Sequence, residues 1–177
     1  MRKGFTLVEV VVVILILGIA IPVLLNMFAE VSRKVIYGEV SIQALFYAQE
    51  LMEIIKSKRF DENISPPWTS STHLGTDSGE DPHNSSTFDD VDDFVNCTDP
   101  SIIRPQQGYT RSVRVDYVIL DTTTTPNQWQ PCGETVCGEV SNCTQPQECC
   151  YKRITVSVSR DDRLLTDFRL TTIITGN

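Results

Sequence analysis

An uninterrupted apolar run from Val10 to Leu25, with one carboxylate just before it, constrains this chain more than any other feature. The segment Phe5 to Leu25 covers 21 positions, and ~20 apolar residues span a bilayer as a helix. Glu9 lies within it. A charge at membrane depth costs on the order of 2.5–3.5 kcal/mol, so it is retained where it has a partner or a task. Met1, Arg2 and Lys3 precede the run, and the basic pair places this side in the cytoplasm. Everything beyond the run is then on the far side of the membrane. A secretory signal peptide has its small-residue cleavage site after the apolar core; here no such site follows Leu25, whereas Gly4 stands before the core.

The order Lys3-Gly4-Phe5-Thr6-Leu7-Val8-Glu9 followed by a long apolar run resembles the leader of type IV prepilins. The resemblance implies cleavage between Gly4 and Phe5 by a prepilin peptidase, and N-methylation of Phe5. It also implies that Glu9 acts in subunit assembly, pairing with the terminal amine of a neighbouring subunit. An ion pair in a dry helical bundle offsets a desolvation cost that neither charge bears alone.

Beyond the run, Phe28, Val31, Val35, Ile42, Leu45, Ala48, Met52 and Ile55 recur at steps close to three and four. They predict an amphipathic helix continuing to about Arg59, on the order of 80 Å from Phe5 at 1.5 Å per residue. Pro22 removes a helical hydrogen bond and predicts a kink or local melting, with Gly18 weakening the same region.

The segment 61–108 carries Pro66, Pro67, Pro82, Pro100 and Pro105 among Ser, Thr, Asp and Asn, and reads as an irregular acidic loop. Within it lies Phe88-Asp89-Asp90-Val91-Asp92-Asp93-Phe94. Oxygen ligands of this density suit Ca²⁺, so Asp89, Asp90, Asp92 and Asp93 are candidate calcium ligands. The spacing is not that of an EF-hand, and aspartates also cap helices and make turns; the structural role on an exposed loop is preferred. This string, with Ala48–Glu53 and Phe60-Asp61-Glu62-Asn63, is similar to minor pilins of the type found as the D subunit of the mannose-sensitive haemagglutinin pilus. That similarity implies a minor rather than a main subunit.

In the last third, Thr110–Leu120 and Arg153–Arg160 alternate apolar and polar residues, as strands with one buried face do. Asp161-Asp162 predicts a turn, and Leu164–Thr175 a returning strand. Between the strands Thr110–Leu120 and Arg153–Arg160, 121–150 holds five of six cysteines amid Pro and Gly. Cys97, Cys132, Cys137, Cys143, Cys149 and Cys150 are disulfide candidates in an oxidising compartment; metal ligation is the competing reading, but no two make a C-x-x-C knuckle. Adjacent Cys149 and Cys150 each pair more easily elsewhere, and one bond back to Cys97 would tie the loop to the sheet.

The expected organisation is a leader 1–4, a transmembrane and assembly half-helix 5–27, an amphipathic half 28–60, the acidic loop 61–108, and an antiparallel sheet 109–177 with a cysteine-rich insert 121–150. The fold class is α+β, with the outer half of the helix packed on a small sheet. The resemblance implies other pilin subunits, prepilin peptidase and the inner membrane as partners. It places a single-pass precursor with its C-terminal domain in the periplasm, later in an extracellular pilus serving adhesion, motility or DNA uptake. A periplasmic pseudopilus of type II secretion is the alternative. Net charge is −8, which disfavours nucleic acid as a partner. An anchored enzyme is the remaining class, and no nucleophile–base pair, phosphate loop or cofactor motif supports one.

Overall fold

A computed structural model describes residues 4, 6–132, 151–162, 164, 165 and 167–176. The chain divides into two compact units, Met1–Val40 and Ser41–Asn177.

Helix α1, Leu7–Lys56, runs for 50 residues. It starts two residues later than the apolar pattern predicts, because Thr6 caps it: the Glu9 amide donates to Thr6 Oγ1 at 3.3 Å, leaving Thr6 outside the helix as an N-cap. The helical assignment continues unbroken through Gly18 and Pro22. Local melting at Pro22 therefore does not occur; one missing N–H is tolerated where the neighbouring i→i−4 bonds persist. In the first unit α1 is a bare apolar surface: Leu7, Ile14, Leu24 and Phe28 are 82 %, 64 %, 63 % and 73 % exposed.

In the second unit α1 buries Ala44, Ala48, Leu51, Met52 and Ile55. This stripe corrects the predicted one. Ile42, Val35, Val31 and Phe28 point to solvent, and the buried face in this unit includes the small residues Ala44 and Ala48. Tyr109 Oη reaches Gln43 Oε1 at 2.8 Å, and the Tyr47 and Tyr109 rings meet edge to face at 5.1 Å.

Among the described residues, four antiparallel strands form one sheet: β1 Tyr109–Asp121, β2 Gln128–Pro131, β3 Tyr151–Arg160 and β4 Phe168–Thr175, in the order β2-β1-β3-β4. Alternation decides the faces. In β3, Lys152, Ile154, Val156 and Val158 are buried, while Thr155, Ser157 and Ser159 are half-exposed. β1 and β3 pair over ten rungs, from Tyr109 opposite Arg160 to Val118 opposite Tyr151. The architecture is α+β, as expected. Strand β2 is an addition, four residues in a segment whose prolines and glycines argued against long elements. β4 begins at Phe168 rather than Leu164.

Residues 61–108 are irregular apart from 3₁₀ turns at Ser85–Thr87 and Asp92–Phe94 and a one-turn helix α2, Pro100–Ile103. Asp99 caps α2, accepting from the Ser101 amide at 2.9 Å and from the Ser85 amide at 2.8 Å. These hydrogen bonds hold its carboxyl well below the usual carboxylate range. Arg111 is buried and closes the other end of α2. Its Nε donates to the Ile102 carbonyl at 2.6 Å, one terminal nitrogen to the Ser101 carbonyl and the other to Glu50, the role a cation takes at a helix C-terminus.

Candidate functional site

Two regions carry chemistry, one in each unit. In the first, Gly4 is exposed with open space around it, and Glu9 projects from the first turn of α1 into the surroundings. Phe5, the expected site of cleavage and methylation, lies outside the described residues. Thr6 and Glu9 are spaced as in a capping box, a signal present in the sequence and overlooked there. Glu9 thus sits at the positive end of the helix dipole, a position acidic residues favour. The helix is long and apolar enough to cross a membrane.

The second region is built around the acidic string, and it is not the exposed loop that the sequence suggests. Asp90, Asp92 and Asp93 are each 1 % exposed. The cause is the flanking pattern: Phe88, Val91 and Phe94 insert together, the two rings meeting edge to face at 5.1 Å, and draw the intervening aspartates inward. Burial of such groups requires partners, and the loop supplies them from its own backbone. Asp90 Oδ1 accepts from the Asp92 and Asp93 amides at 2.8 and 3.3 Å; Asp93 Oδ2 accepts from the Asp89 and Asp90 amides at 2.8 and 2.9 Å. Asp89 alone stays at the surface, paired with Arg59.

Asp92 has a different partner. Lys152 enters from β3 with its side chain wholly enclosed. Its Nζ donates to the Phe60 carbonyl at 2.7 Å, to Asp61 Oδ2 at 2.9 Å and to Asp92 Oδ1. Asp61 also accepts from the amide of Asn63 and from both the amide and the hydroxyl of Thr69. The Tyr117 hydroxyl donates to the Thr69 carbonyl at 2.8 Å.

One cation shared by two buried carboxylates cannot neutralise both. Burial alone would raise Asp61, but the Lys152 charge and the hydrogen bonds from Lys152, Asn63 and Thr69 hold it below the usual range. At Asp92 burial outweighs Lys152, and the carboxyl moves up. Burial, then the charges of Asp92 and Asp93, push Asp90 up to about 9; burial, then a hydrogen bond with Glu80, pushes Asp93 up to about 7. Tyr117 is raised far above the normal phenol range, first by burial and then by Asp61. The cluster is therefore a Lys152–Asp61 ion pair surrounded by carboxyls that favour their protons.

The carboxylate oxygens of Glu62, Asp90 and Asp92 lie within 4.8 Å of one another, as do those of Glu80, Asp89 and Asp93. The four sequence candidates for calcium are thus divided between two groups rather than collected in one. Lys152, Asp61, Glu62, Glu80 and Tyr117 were missed in the sequence. Lys152 had a signal: it occupies an inward position in the alternation of β3, where a lysine among Ile154, Val156 and Val158 demands a counter-ion.

Among the cysteines, Cys132 is disulfide-bonded and Cys97 is a free thiol. The expected bond from Cys97 to the insert is therefore not made. Cys97 lines a cavity of about 130 Å³ with Leu51, Phe94, Ile102 and Arg111, and burial pushes its thiol up. Cys137, Cys143, Cys149 and Cys150 lie outside the described residues.

Comparison with known proteins gives one family match: the prokaryotic N-terminal methylation motif, at residues 1–21. No curated protein and no solved structure matches the chain significantly. The N-terminus is therefore similar to prepilin-like methylation signals, the apolar helix that follows is suited to a membrane anchor, and the α+β architecture agrees with a type IV pilin fold. The likeness to one particular minor pilin has no support from these comparisons.

Proposed function

We propose that the chain is a structural subunit of a type IV pilus-like filament, cleaved after Gly4, methylated on Phe5 and assembled through α1. The observation that carries this reading is the methylation motif at residues 1–21 leading directly into a helix whose large apolar residues stay uncovered. Apolar surface of that extent needs lipid or neighbouring helices against it, and a subunit that moves from membrane to filament uses both. Before assembly the helix anchors the chain in the inner membrane, with the second unit in the periplasm. Glu9 is the carboxylate that meets the terminal amine of an adjacent subunit, and the capped start of α1 holds it at a fixed place in the first turn. The finer assignment as a minor pilin rests on the resemblance of 48–53, 60–63 and 88–94.

Glu9→Ala tests the reading. The variant should be cleaved and inserted in the membrane but poorly incorporated into filaments sheared from cells. Incorporation at the wild-type level would overturn the role of Glu9. Gly4→Leu should leave the full-length precursor, seen as an unshortened band; normal shortening would overturn the leader assignment. Loss of protein secretion without loss of surface fibres in a deletion strain would favour a pseudopilus over a pilus.

A further inference from the structure

The surroundings of Lys152 have a chemical use beyond pairing charge. Its Nζ is held by the Phe60 carbonyl at 2.7 Å and Asp61 Oδ2 at 2.9 Å, and it touches the Asp92 carboxyl directly. The Lys152 and Asp61 side chains have no solvent exposure, and that of Asp92 keeps 1 %. The Phe60 and Tyr117 rings stand 4.8 and 5.5 Å from Nζ. Carboxyl oxygens of Asp90 and Glu62 come within 4.8 Å of those of Asp92. An amine fixed against a carboxyl gains the effective concentration that makes intramolecular reactions fast. A neighbouring carboxyl can carry the protons that such a reaction moves.

We propose that Lys152 and Asp92 condense to an intramolecular isopeptide bond, with Asp61 orienting the amine and Asp90 relaying protons. A proton passes from the Lys152 ammonium to the carboxyl pair of Asp90 and Asp92, leaving a free amine and a carboxylic acid. The Nζ lone pair attacks Asp92 Cγ, and the Nζ–Cγ bond forms. Asp90 hands its own proton to the departing oxygen as it takes the second proton from nitrogen, the Cγ–O bond breaks, and one water leaves. The product is a neutral amide; no oxidant or activating co-reactant is consumed. Asp92 is the acyl partner because its carboxyl touches Nζ directly, beside those of Asp90 and Glu62. Asp61, by contrast, is fixed as an anion by Asn63, Thr69 and Lys152. The bond joins β3 to the acidic turn across 60 positions of chain, so a pull on the loop would be borne covalently. The inference does not depend on the filament reading.

The test is mass. The full-length chain, extracted from membranes in detergent, reduced and alkylated, should weigh about 18 Da, one water, less than the same processed form calculated from sequence. A protease digest should yield a branched peptide joining Lys152 to Asp92. A linear peptide carrying an unmodified Lys152 as the main species overturns the proposal, as does a branch at Asp61. Lys152→Arg, which cannot condense in this way, should restore the missing mass. Asp90→Asn keeps both reacting groups and should also restore it while the Trp68 emission stays native; complete cross-linking in that variant overturns the relay by Asp90. If a variant fails to fold, the wild-type digest still decides. Leader removal changes the mass by several residues, so the two processes are read separately.

Discussion

Lys152 and Asp61, 91 positions apart in the chain, meet at 2.9 Å with neither side chain exposed. The pair fastens β3 to the segment that follows α1, and Asp92 fastens the acidic turn to the same nitrogen. Removing one member of a buried pair leaves the other charge uncompensated, at a cost of about 3–5 kcal/mol. Lys152→Met should therefore destabilise the second unit by that amount, read from urea unfolding followed by Trp68 fluorescence. The same substitution in an Asp61→Asn, Asp92→Asn background should cost markedly less, because no stranded carboxylate remains. A loss below about 1 kcal/mol in the wild-type background would show that the cluster is solvated.

Asp93 predicts a pH dependence whose sign opposes that of an ordinary salt-bridged acid. Its folded pKa, about 7, lies above the unfolded value of about 3.9. Between these values the folded chain holds a proton that the unfolded chain has released. The contribution of Asp93 to stability is thus complete below about pH 4 and is lost progressively as pH rises to about 7. Asp61 has a depressed pKa, and its contribution is present above the unfolded value and lost as pH falls through the folded one. Urea unfolding should give a lower midpoint at pH 8 than at pH 5.5. Asp93→Asn, which mimics the protonated form, should reduce that difference; an unchanged slope would place the titration elsewhere.

What the sequence made legible divides along physical lines. The membrane-length run, the leader order and the strand alternation are local patterns, readable by counting residues, and they gave the α+β class and the strands β1, β3 and β4. The burial of Asp90, Asp92 and Asp93 depends on a lysine about 60 positions later and on two phenylalanines choosing the core over the surface. Composition alone argues the opposite, since four aspartates in five residues read as solvated. The helix stripe was misplaced for a related reason: unit 2 buries its small residues Ala44 and Ala48, while larger apolar side chains such as Ile42 and Phe46 face outward. Apolarity marks a helix, but it does not say which apolar face belongs to the same chain.

Calcium gives the third prediction. The Glu62, Asp90 and Asp92 group already has Lys152 against Asp92, and in the Glu80, Asp89 and Asp93 group Asp93 is occupied by two backbone amides and Asp89 by Arg59. Neither arrangement leaves its carboxylates facing a common centre without competitors. At pH 7, millimolar calcium or excess EGTA should move the melting temperature by no more than about 1 °C. A rise of several degrees with calcium, equivalent to binding linked to the folded state, would assign a cation to one of the groups, and Glu80→Gln against Glu62→Gln would identify which.

The last prediction concerns Gly176, immediately after β4. A Cβ built there would fall 2.8 Å from Trp68 Cζ2 and 2.9 Å from Phe60 Cδ1. The two rings are themselves packed edge to face at 5.2 Å, and Trp68 is only 6 % exposed, so neither moves without opening the cluster it shares with Tyr117. Overpacking of this kind costs about 1–3 kcal/mol. Gly176→Ala should lower the urea midpoint accordingly and shift Trp68 emission toward the solvated range. Gly108→Ala is the comparison: Gly108 has φ +86 with open space around its Cβ position, so it should carry a backbone penalty of about 1–2 kcal/mol and leave the Trp68 emission unchanged. Because Trp129 also emits, both measurements are best made with Trp129→Phe as the parent. If Gly176→Ala left stability and emission untouched, the close approach of Gly176 to Phe60 and Trp68 would be wrong.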